Sequence, residues 1–441
     1  MIKKSLSSPI PFILLGIFSI IGLFIPVFTD FDGSKLYNYA DISWMLISTA
    51  LVLLMTPGLA FFYGGMVSKK NVISTMLQSF IATGLISIFW VVCGFGLAFG
   101  KSFHGIIGDP REFFMMKGIN AHAPWVFAPT IPILLFAFYQ LKFAIITPAL
   151  VVGATAERIR FTSYVIFMVF FSMFIYAPLA HWTWHPDGFL AKMGVLDFAG
   201  GTVVHISAGC AALAGAIMLK RRKVHIAHEE TKPARIPYVL LGTGLLWFGW
   251  FGFNAGSAMG ATSLAVSAFA TTNTATAAAG LSWIFFDAVR GRKPSALGFC
   301  IGAVVGLVAI TPAAGFVGVP QSIFIGFIAA VCSNIAVYWK GKTTIDDTLD
   351  VFPCHGLGGI VGMILTGVFA SKKINPAGND GLFYGGTQFF LHQISGCLIV
   401  VIFATVMGFI LFKVVDLISP LRVTEQEEEM GLDLTQHDEK L

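Results

Sequence analysis

Long apolar segments separated by short polar loops make up most of the chain. After an apolar run from Ile10 to Phe28, eleven further segments are each near or above the ~17–25 residues that a helix needs to cross a bilayer. These segments are 43–67, 72–100, 125–153, 162–182, 198–219, 236–253, 262–289, 296–311, 321–339, 355–370 and 386–418. The pattern predicts an all-α polytopic membrane protein with eleven transmembrane helices.

The basic residues of the loops predict the orientation. One alternating set of loops, including Lys69–Lys70 and the run 220–223, holds most of the Lys and Arg residues, and such loops stay in the cytoplasm. An odd number of spans then places the mature N-terminus outside the cell and the acidic tail in the cytoplasm. The membrane is predicted to be the plasma (inner) membrane. The basic run 220–230 is interpreted as a topology signal, with a docking surface for an acidic partner as the alternative.

The N-terminal segment allows two interpretations. Lys3 and Lys4 precede the apolar run, and Asp30 follows it, as in a signal peptide. No clear A-x-A cleavage site follows, so an extra N-terminal apolar segment is the alternative. Removal is the favoured interpretation.

Composition narrows the class of protein further. Hydrophobic residues make up 56% of the chain and charged residues 12%, against the ~25% charged residues of a typical soluble protein. The net charge of +5 comes from short loops rather than from one basic patch, so nucleic-acid binding is set aside. The six cysteines are scattered singly through apolar runs, which predicts neither disulfides nor a metal site. No cofactor is predicted.

One apolar stretch contains an acid and a histidine, Asp197 and His205. An ionisable residue at membrane depth costs roughly 2.5–3.5 kcal/mol or more unless it faces a cavity or has a partner, so it is a functional-site hypothesis. A hydrogen-bonded core histidine is the alternative. A second copy of the pattern runs from Asp350 through His355 to Gly359.

The two histidine segments belong to the fifth and tenth spans, which the loop charges orient in opposite directions. We expect two five-helix halves of inverted topology, with both imidazoles near the bilayer midplane, as in transporters built from repeats. A chance likeness of two glycine-rich helices is the alternative. The predicted divisions are 1–30 (signal peptide or extra segment), 31–219 (helices 1–5), 220–370 (helices 6–10), 371–420 (eleventh helix and preceding loop) and 421–441 (cytoplasmic tail).

Several motifs occur in order along the chain. Besides the histidine segments they are Phe61-Phe-Tyr-Gly-Gly65, Ala156-Glu-Arg-Ile-Arg160, Gly249-Trp-Phe-Gly-Phe-Asn-Ala-Gly-Ser257 and Gly431-Leu-Asp433. With them the chain resembles ammonium transporters of the Amt/Mep/Rh family from about Asp41 to the tail, and Trp184 makes it more similar to the Amt branch. The resemblance implies a homotrimer, a narrow pore in each subunit, and a regulatory tail that meets PII-type signal proteins.

The resemblance also assigns roles to individual residues. It implies an outer substrate site of Phe143, Trp184 and Ser257, a gate of Phe143 and Phe253, a pore lined by His205 and His355, and Asp197 as site support or as an aid to deprotonation. Position alone would give other interpretations: Phe143 as ordinary core packing, Trp184 as a membrane-interface residue, and Asp197 as a helix N-cap.

The chemistry of such a site follows from the difference between ammonium and potassium. Ammonium donates four directed hydrogen bonds and can lose a proton, whereas potassium can do neither. Aromatic faces would hold the cation with ~0.5–2 kcal/mol each, and an apolar tube beyond them favours neutral ammonia over the ion. Two imidazoles that share a hydrogen bond offer both a donor and an acceptor. Whether the proton also crosses, making transport electrogenic, stays open.

Two positions depart from the expected pattern. Lys142 stands beside Phe143, but adjacent helix positions point about 100° apart, so we expect Lys142 to face away from the pore. Met430 stands where the family's tail carries an acid before Gly431. One tail contact is therefore in doubt.

The sequence was also compared with what two other functions would require, those of a sensor and of a hydrolase. A membrane sensor with a transporter-like body would bind ammonium without moving it. An intramembrane hydrolase that uses Ser207 or Ser257 lacks support, because the sequence has neither a nucleophile elbow nor zinc-ligand spacing. We expect a transporter rather than an enzyme.

Overall fold

A computed structural model of the chain describes residues 9–25, 38–229 and 231–441, and this part is predominantly helical. The first half contains α1 (Ile10–Gly22), α2 (Tyr39–Met66), α3 (Val72–Phe80), α4 (Ala82–Phe89), α5 (Phe95–Phe99), α6 (Ile133–Leu150), α7 (Val152–Thr155), α8 (Phe161–Phe171), α9 (Ala177–Trp184) and α10 (Phe189–Lys192). Helices dominate because a chain surrounded by lipid must satisfy its backbone hydrogen bonds within each segment.

The rest of the described chain is helical as well, and α11 completes the first half. The remaining helices are α11 (Ser207–Leu219), α12 (Lys223–Ile226), α13 (Ile236–Ala255), α14 (Ser263–Val289), α15 (Ala296–Ile310), α16 (Val319–Lys340), α17 (Gly358–Phe369), α18 (Thr387–Ile418), α19 (Glu425–Met430) and α20 (Leu432–His437). Four π-helical segments extend helices of the two halves: Trp90–Gly94, Ser172–Tyr176, Gly201–Ile206 and Phe352–Leu357.

Nine helical segments of the described part are long and apolar enough to cross a membrane. They are Tyr39–Met66, Lys69–Phe99, Ile133–Thr155, Phe161–Lys192, Gly201–Leu219, Ile236–Ala258, Val319–Lys340, Phe352–Phe369 and Thr387–Ile418. Two further helices, α14 with 27 residues and α15 with 15, pack against each other and against α16. The prediction of an all-α polytopic membrane protein is confirmed at this level.

The third predicted span, 125–153, begins too early. The helix starts at Ile133, and the preceding residues form a short antiparallel pair, β3 (Pro124–Trp125) and β4 (Ala128–Pro132). Prolines at positions 124, 129 and 132 explain the difference, because proline lacks the N–H that a helix interior requires. A second short pair, β1 (Ser102–Phe103) and β2 (Ile107–Gly108), lies in the loop before it.

The N-terminal helix α1 stands apart from the bundle. It has 13 residues, none of them buried. At 1.5 Å per residue it is about 20 Å long, less than the ~30 Å of a hydrocarbon core. Lys3, Lys4, Phe28 and Asp30 lie outside the described residues, so cleavage of this segment stays a prediction.

A close contact of backbones brings the two histidine segments together. Gly209 on α11 faces the backbone of Gly356, and a Cβ added at Gly209 would lie only 2.2 Å from the Gly356 nitrogen. Small residues at such crossings allow helices to approach closely. The two halves of the chain therefore meet at the level of the imidazoles.

Candidate functional site

The two predicted histidines meet in the interior of the bundle. His205 and His355 each lie in a π-helical segment, Gly201–Ile206 and Phe352–Leu357, and are 1% and 3% exposed. Their Nδ1 atoms are 3.3 Å apart and their ring centroids 5.4 Å apart. Single π turns inside helices occur often at functional sites. The structure thus joins one residue from each half of the chain.

The contact between the imidazoles fixes what each ring offers to its surroundings. In a pair of neutral rings, one Nδ1 must donate and the other must accept, so the two Nε2 atoms have opposite character. One Nε2 is then an acceptor and the other a donor. The Nε2 of His205 is buried and has no hydrogen-bond partner among the described residues.

A narrow enclosed cavity adjoins both imidazoles. The described residues that line it include Leu59, Ile146, Val204 and Phe253, and the rest of the lining is likewise apolar or aromatic. The indole of Trp250 lies nearly parallel to the His205 ring at 5.3 Å, but its N–H donates to Thr311. The imidazoles are therefore the polar groups available on the cavity wall.

An aromatic pair lies on one side of this cavity. The rings of Phe143 and Phe253 have centroids 4.2 Å apart at an angle of 32°, and both side chains are buried. Phe253 is also 6.0 Å from His205, centroid to centroid. Of the two predicted gate rings, Phe253 thus lines the cavity next to the histidines and Phe143 packs against Phe253.

The three residues of the predicted outer site cluster around the same rings. The Trp184 ring meets Phe143 edge to face at 5.8 Å. Ser257 lies in the turn that follows α13, and its hydroxyl donates to the Phe253 carbonyl at 2.9 Å. Tyr139, which the sequence did not single out, connects them, because its ring contacts Phe143 at 5.0 Å and its hydroxyl lies 3.3 Å from that of Ser257.

Asp197 acts on the backbone that precedes His205. One carboxylate oxygen accepts from Gly200 and Gly201, at 2.8 and 2.7 Å, and the other accepts from the backbone and hydroxyl of Thr202. Its own carbonyl accepts the Trp184 indole N–H at 3.1 Å. With four donors on its oxygens, the carboxylate anchors the start of the His205 segment, and the backbone carbonyl of Asp197 helps to orient Trp184.

In the second histidine segment the acid with contacts like those of Asp197 is Asp347, whereas the sequence pattern had pointed to Asp350. Asp347 is fully buried and accepts the backbone N–H groups of Val351 and Phe352 at 3.0 and 2.8 Å. Asp350 instead adopts a positive φ of 58° and pairs with Lys340 at 2.7 Å.

The sequence did contain a signal for this correspondence. Asp197 precedes His205 by eight residues, and Asp347 precedes His355 by the same number. Asp350 precedes His355 by only five residues. Only the hydrogen bonds distinguish the anchoring acid from its neighbours.

Lys142 is directed away from the cavity. Its side chain is half-buried, and its Nζ lies 5.7 Å from the ring of Phe138, one turn earlier on α6. Phe138 is itself 36% exposed on the surface of the described bundle. The lysine therefore lies on the outer face of α6, as predicted from its angle to Phe143.

A buried ionic network lies beside the second anchoring acid. Arg222 pairs with Glu157 at 2.5 Å and with Asp346 at 2.9 Å. Burial alone would raise the pKa of each of these carboxyls, but the charge and hydrogen bonds of Arg222 hold both values below the usual range, with Arg158 adding to the effect on Asp346. Both acids are therefore held in their charged form.

The tail folds back onto this face of the protein. Lys70 donates to the carbonyls of Glu428 and Glu429 at 2.9 and 2.6 Å, and Lys223 forms an ion pair with Glu429 at 2.7 Å. Asp433 accepts the backbone N–H of Ser74 at the start of α3 at 2.7 Å. Burial raises the pKa of Asp433, although this hydrogen bond opposes the shift. Carboxylates at helix N-termini are favoured by the helix dipole.

Met430, the tail position in doubt, is 55% exposed, so it makes little contact. Across residues 9–25, 38–229 and 231–441, no group of three or more His, Cys, Asp or Glu side chains is arranged to hold a metal ion.

Comparison with known proteins gives concordant matches. The model of the Ammonium Transporter Family matches residues 43–441. An ammonium transporter of Bacillus subtilis is 47% identical over 91% of this chain and 98% of its own length. The crystal structure of Saccharomyces cerevisiae Mep2 superposes with a TM-score of 0.84 at 34% identity, covering 89% of each chain. A structure described as a sensor Amt protein gives a TM-score of 0.82 at 29% identity, over 90% of this chain and 98% of that one.

Proposed function

The chain belongs to the ammonium transporter family, and we propose that it binds ammonium at an outer site, removes a proton and conducts ammonia through the cavity between its two histidines. The observation that carries the proposal is the 3.3 Å contact of His205 and His355 beside an otherwise apolar cavity that Phe253 lines, with Phe143 packed against Phe253. A multi-pass membrane position follows from the family and from the nine apolar helices of the described part.

Recruitment of the cation is assigned to Phe143, Trp184 and Ser257. Two aromatic faces each contribute ~0.5–2 kcal/mol to a cation held against them. The Ser257 oxygen adds an acceptor for one ammonium N–H. Such a site does not depend on size alone, which is why it can favour ammonium over a hydrated potassium ion.

Deprotonation is required because the substrate must next pass the aromatic gate. The stacked rings of Phe143 and Phe253 leave no polar group to replace the water around an ion, and an uncompensated charge in apolar surroundings costs far more than a neutral polar molecule. Ammonia can pass where ammonium cannot. The opposite characters of the two Nε2 atoms then provide one donor and one acceptor for it. The proton either returns outside or crosses separately.

Asp197 is assigned to support of the site. Its four hydrogen bonds hold the His205 segment, and its carbonyl holds Trp184. A carboxylate already saturated with donors is poorly suited to exchange protons with a substrate. This geometry favours the supporting role over a direct part in deprotonation.

The finer architecture is part of the proposal. We assign eleven transmembrane helices by counting α14 and α15 with the nine apolar segments, and two inverted halves in residues 31–219 and 220–370. The Asp-x7-His spacing shared by the two halves supports this repeat. The eleventh helix falls in 371–420. The mature N-terminus, after removal of residues 1–30, lies outside, and the regulatory tail 421–441 lies in the cytoplasm.

Partners are inferred from the family rather than from contacts. We propose a homotrimer in the plasma membrane, with a PII-type signal protein as a candidate partner at the cytoplasmic face. Binding at the tail could alter the helical bundle, because Lys70 and Lys223 connect the tail to two loops of the bundle.

An ammonium sensor is the second candidate, favoured by the similarity to a protein described as a sensor Amt protein. Proteoliposomes on a solid-supported membrane separate the two functions. A transporter that moves net charge gives a current on ammonium addition, and labelled methylammonium uptake detects an electroneutral one. A protein that binds ammonium in the same vesicles but gives neither current nor uptake would be a sensor, and transport would be refuted.

A further inference from the structure

The hydroxyl of Tyr139 is buried beside the serine of the outer site. Tyr139 lies on α6 one turn before Phe143 and is fully buried. Its Oη lies 2.9 Å from the Gly252 carbonyl oxygen, 3.0 Å from that of Phe253, and 3.3 Å from the Ser257 hydroxyl. A single hydroxyl thus faces two carbonyls and a second hydroxyl.

The local structure makes room for this hydroxyl. Helix α13 ends at Ala255, and the carbonyls of its last turn can accept hydrogen bonds from outside the helix, as the Gly252 carbonyl does besides the one it accepts from the Gly256 N–H. Tyr139 reaches these carbonyls from α6. Gly256 permits the approach, because a Cβ there would lie 2.7 Å from the Tyr139 hydroxyl oxygen and 2.8 Å from the Ser48 Cβ. The sequence of the turn is therefore fitted to the tyrosine.

Counting protons gives the orientation of Ser257. A carbonyl oxygen can only accept, and a hydroxyl has one proton to donate. The two shorter contacts of Tyr139 are to carbonyls, so its proton goes to one of them and its oxygen is left as an acceptor. Ser257 then meets only acceptors on this side, the Tyr139 oxygen and the Phe253 carbonyl. Its proton points into the protein, and its lone pairs remain for a ligand.

We propose that Tyr139 is a positioning residue that orients Ser257 to accept a hydrogen bond from ammonium. Ammonium carries only donors, so a serine that presents lone pairs fits it, whereas a serine that presents its proton would repel it. The inference rests on the proposed function, because it takes Ser257 as part of the outer site. It adds a residue that acts through the serine and does not touch the cation.

The direct test is Tyr139→Phe in the full-length protein, reconstituted in liposomes, with the rate of uptake measured against ammonium concentration. The ring and its contact with Phe143 are kept, and only the hydroxyl is lost. The KM should rise about fivefold, the factor that one ordinary hydrogen bond contributes, while the maximum rate changes less than twofold. The matched control is Tyr164→Phe on α8. It removes a buried hydroxyl that donates to the Pro148 carbonyl on α6, the helix that carries Tyr139. Its KM should match that of the unaltered protein.

A double-mutant cycle distinguishes positioning from a general structural effect. If Tyr139 acts through Ser257, then Tyr139→Phe should have no further effect on KM once Ser257→Ala has been introduced. The same rise in KM in both backgrounds would overturn the inference, as would an unchanged KM for Tyr139→Phe where Ser257→Ala raises it. An unchanged KM for Ser257→Ala itself would instead remove the serine from the proposed outer site.

A second variant covers the case in which Tyr139→Phe does not fold. Gly256→Ala places a methyl group against the tyrosine oxygen and should displace it from Ser257. We expect a higher KM for this variant too. A folded Gly256→Ala protein with the KM of the unaltered protein would contradict the inference.

Discussion

Replacement of Asp347 by asparagine tests whether the two halves of the protein hold their histidines in the same way. Asp347→Asn keeps the shape of the side chain but changes one acceptor oxygen into a donor. In the structure both carboxylate oxygens accept backbone N–H groups, from Val351 and Phe352, at the start of the segment that carries His355. Burial raises the pKa of Asp347, and the charge of Lys340 opposes this shift. Because both oxygens accept N–H groups, the hydrogen bonds in the structure are those of the ionised carboxylate.

The magnitude follows from these two hydrogen bonds. The asparagine can satisfy one N–H with its oxygen, and its own NH2 group then faces the other N–H. A buried donor left without a partner costs about 1–3 kcal/mol, and the remaining bond loses its charge assistance, about another 1 kcal/mol. A local loss of about 3 kcal/mol corresponds to more than a hundredfold change in the population of the ordered segment. We therefore expect His355 to leave its position and transport to fall at least tenfold.

The assay is uptake of labelled methylammonium into proteoliposomes, with the amount of folded protein measured by size-exclusion chromatography. Asp350→Asn is the matched control, since it alters an acid three residues away. Its carboxylate pairs with Lys340, with side chains 22% and 19% accessible, rather than with the backbone of the His355 segment, so that segment should keep its position. Asp197→Asn and Asp197→Ala should lose transport as Asp347→Asn does.

The opposite pattern would refute the reasoning. Near-normal uptake by folded Asp347→Asn, together with a severe loss in Asp350→Asn, would mean that Asp350 is the acid that matters. Near-normal uptake by both Asp197→Asn and Asp347→Asn would show that neither carboxylate holds its histidine in place.

Three further predictions concern the surroundings of the site. Deleting the tail after Val423 should change the transport rate or its regulation but leave the preference for ammonium over potassium intact, as competition uptake would show. Lys142→Met should leave the ammonium KM unchanged, and a sharply lower KM would mean that the lysine faces the outer vestibule. Asp346→Asn should lower the free energy of unfolding at pH 7 by about 2–3 kcal/mol, because it leaves the buried Arg222 with a single charged partner, Glu157, and turns one acceptor oxygen beside the guanidinium into a donor. Since the pKa of Asp346 is depressed, this difference in thermal unfolding should persist from pH 8 to 5 and shrink only below about pH 4, as the carboxylate becomes protonated.

Much of the fold follows from the sequence because the bilayer imposes a simple rule. Apolar runs of about 20 residues must become helices, and the observed helical segments Gly201–Leu219 and Thr387–Ile418 lie within three residues of the spans predicted for them, 198–219 and 386–418. The error at Ile133 arose because length and hydropathy were counted without the prolines that precede it. The π segments were not predicted, since no local residue pattern distinguishes them from α-helix.

Only some residues of the site could be predicted from the sequence. The two histidines were identifiable because ionisable residues in apolar helices are unusual. Phe143 was identifiable only through the family resemblance, because the chain has 43 phenylalanines and its position alone fits ordinary core packing; the fold brings it against Phe253. Asp347 and Tyr139 were missed because their roles are defined by hydrogen bonds to backbone groups, and such bonds leave no trace in residue type.

The most direct test of the central claim is the charge moved per ammonium in proteoliposomes, with His205→Leu and His355→Leu introduced together. Each imidazole offers ammonia one hydrogen bond worth about 1 kcal/mol, so the loss of both should slow transport about thirtyfold. Potassium should give no current before or after the change, because the cavity stays apolar. A double variant that moves ammonium at the original rate, with the original charge per molecule, would contradict the account, since the substrate would then not pass between the two histidines.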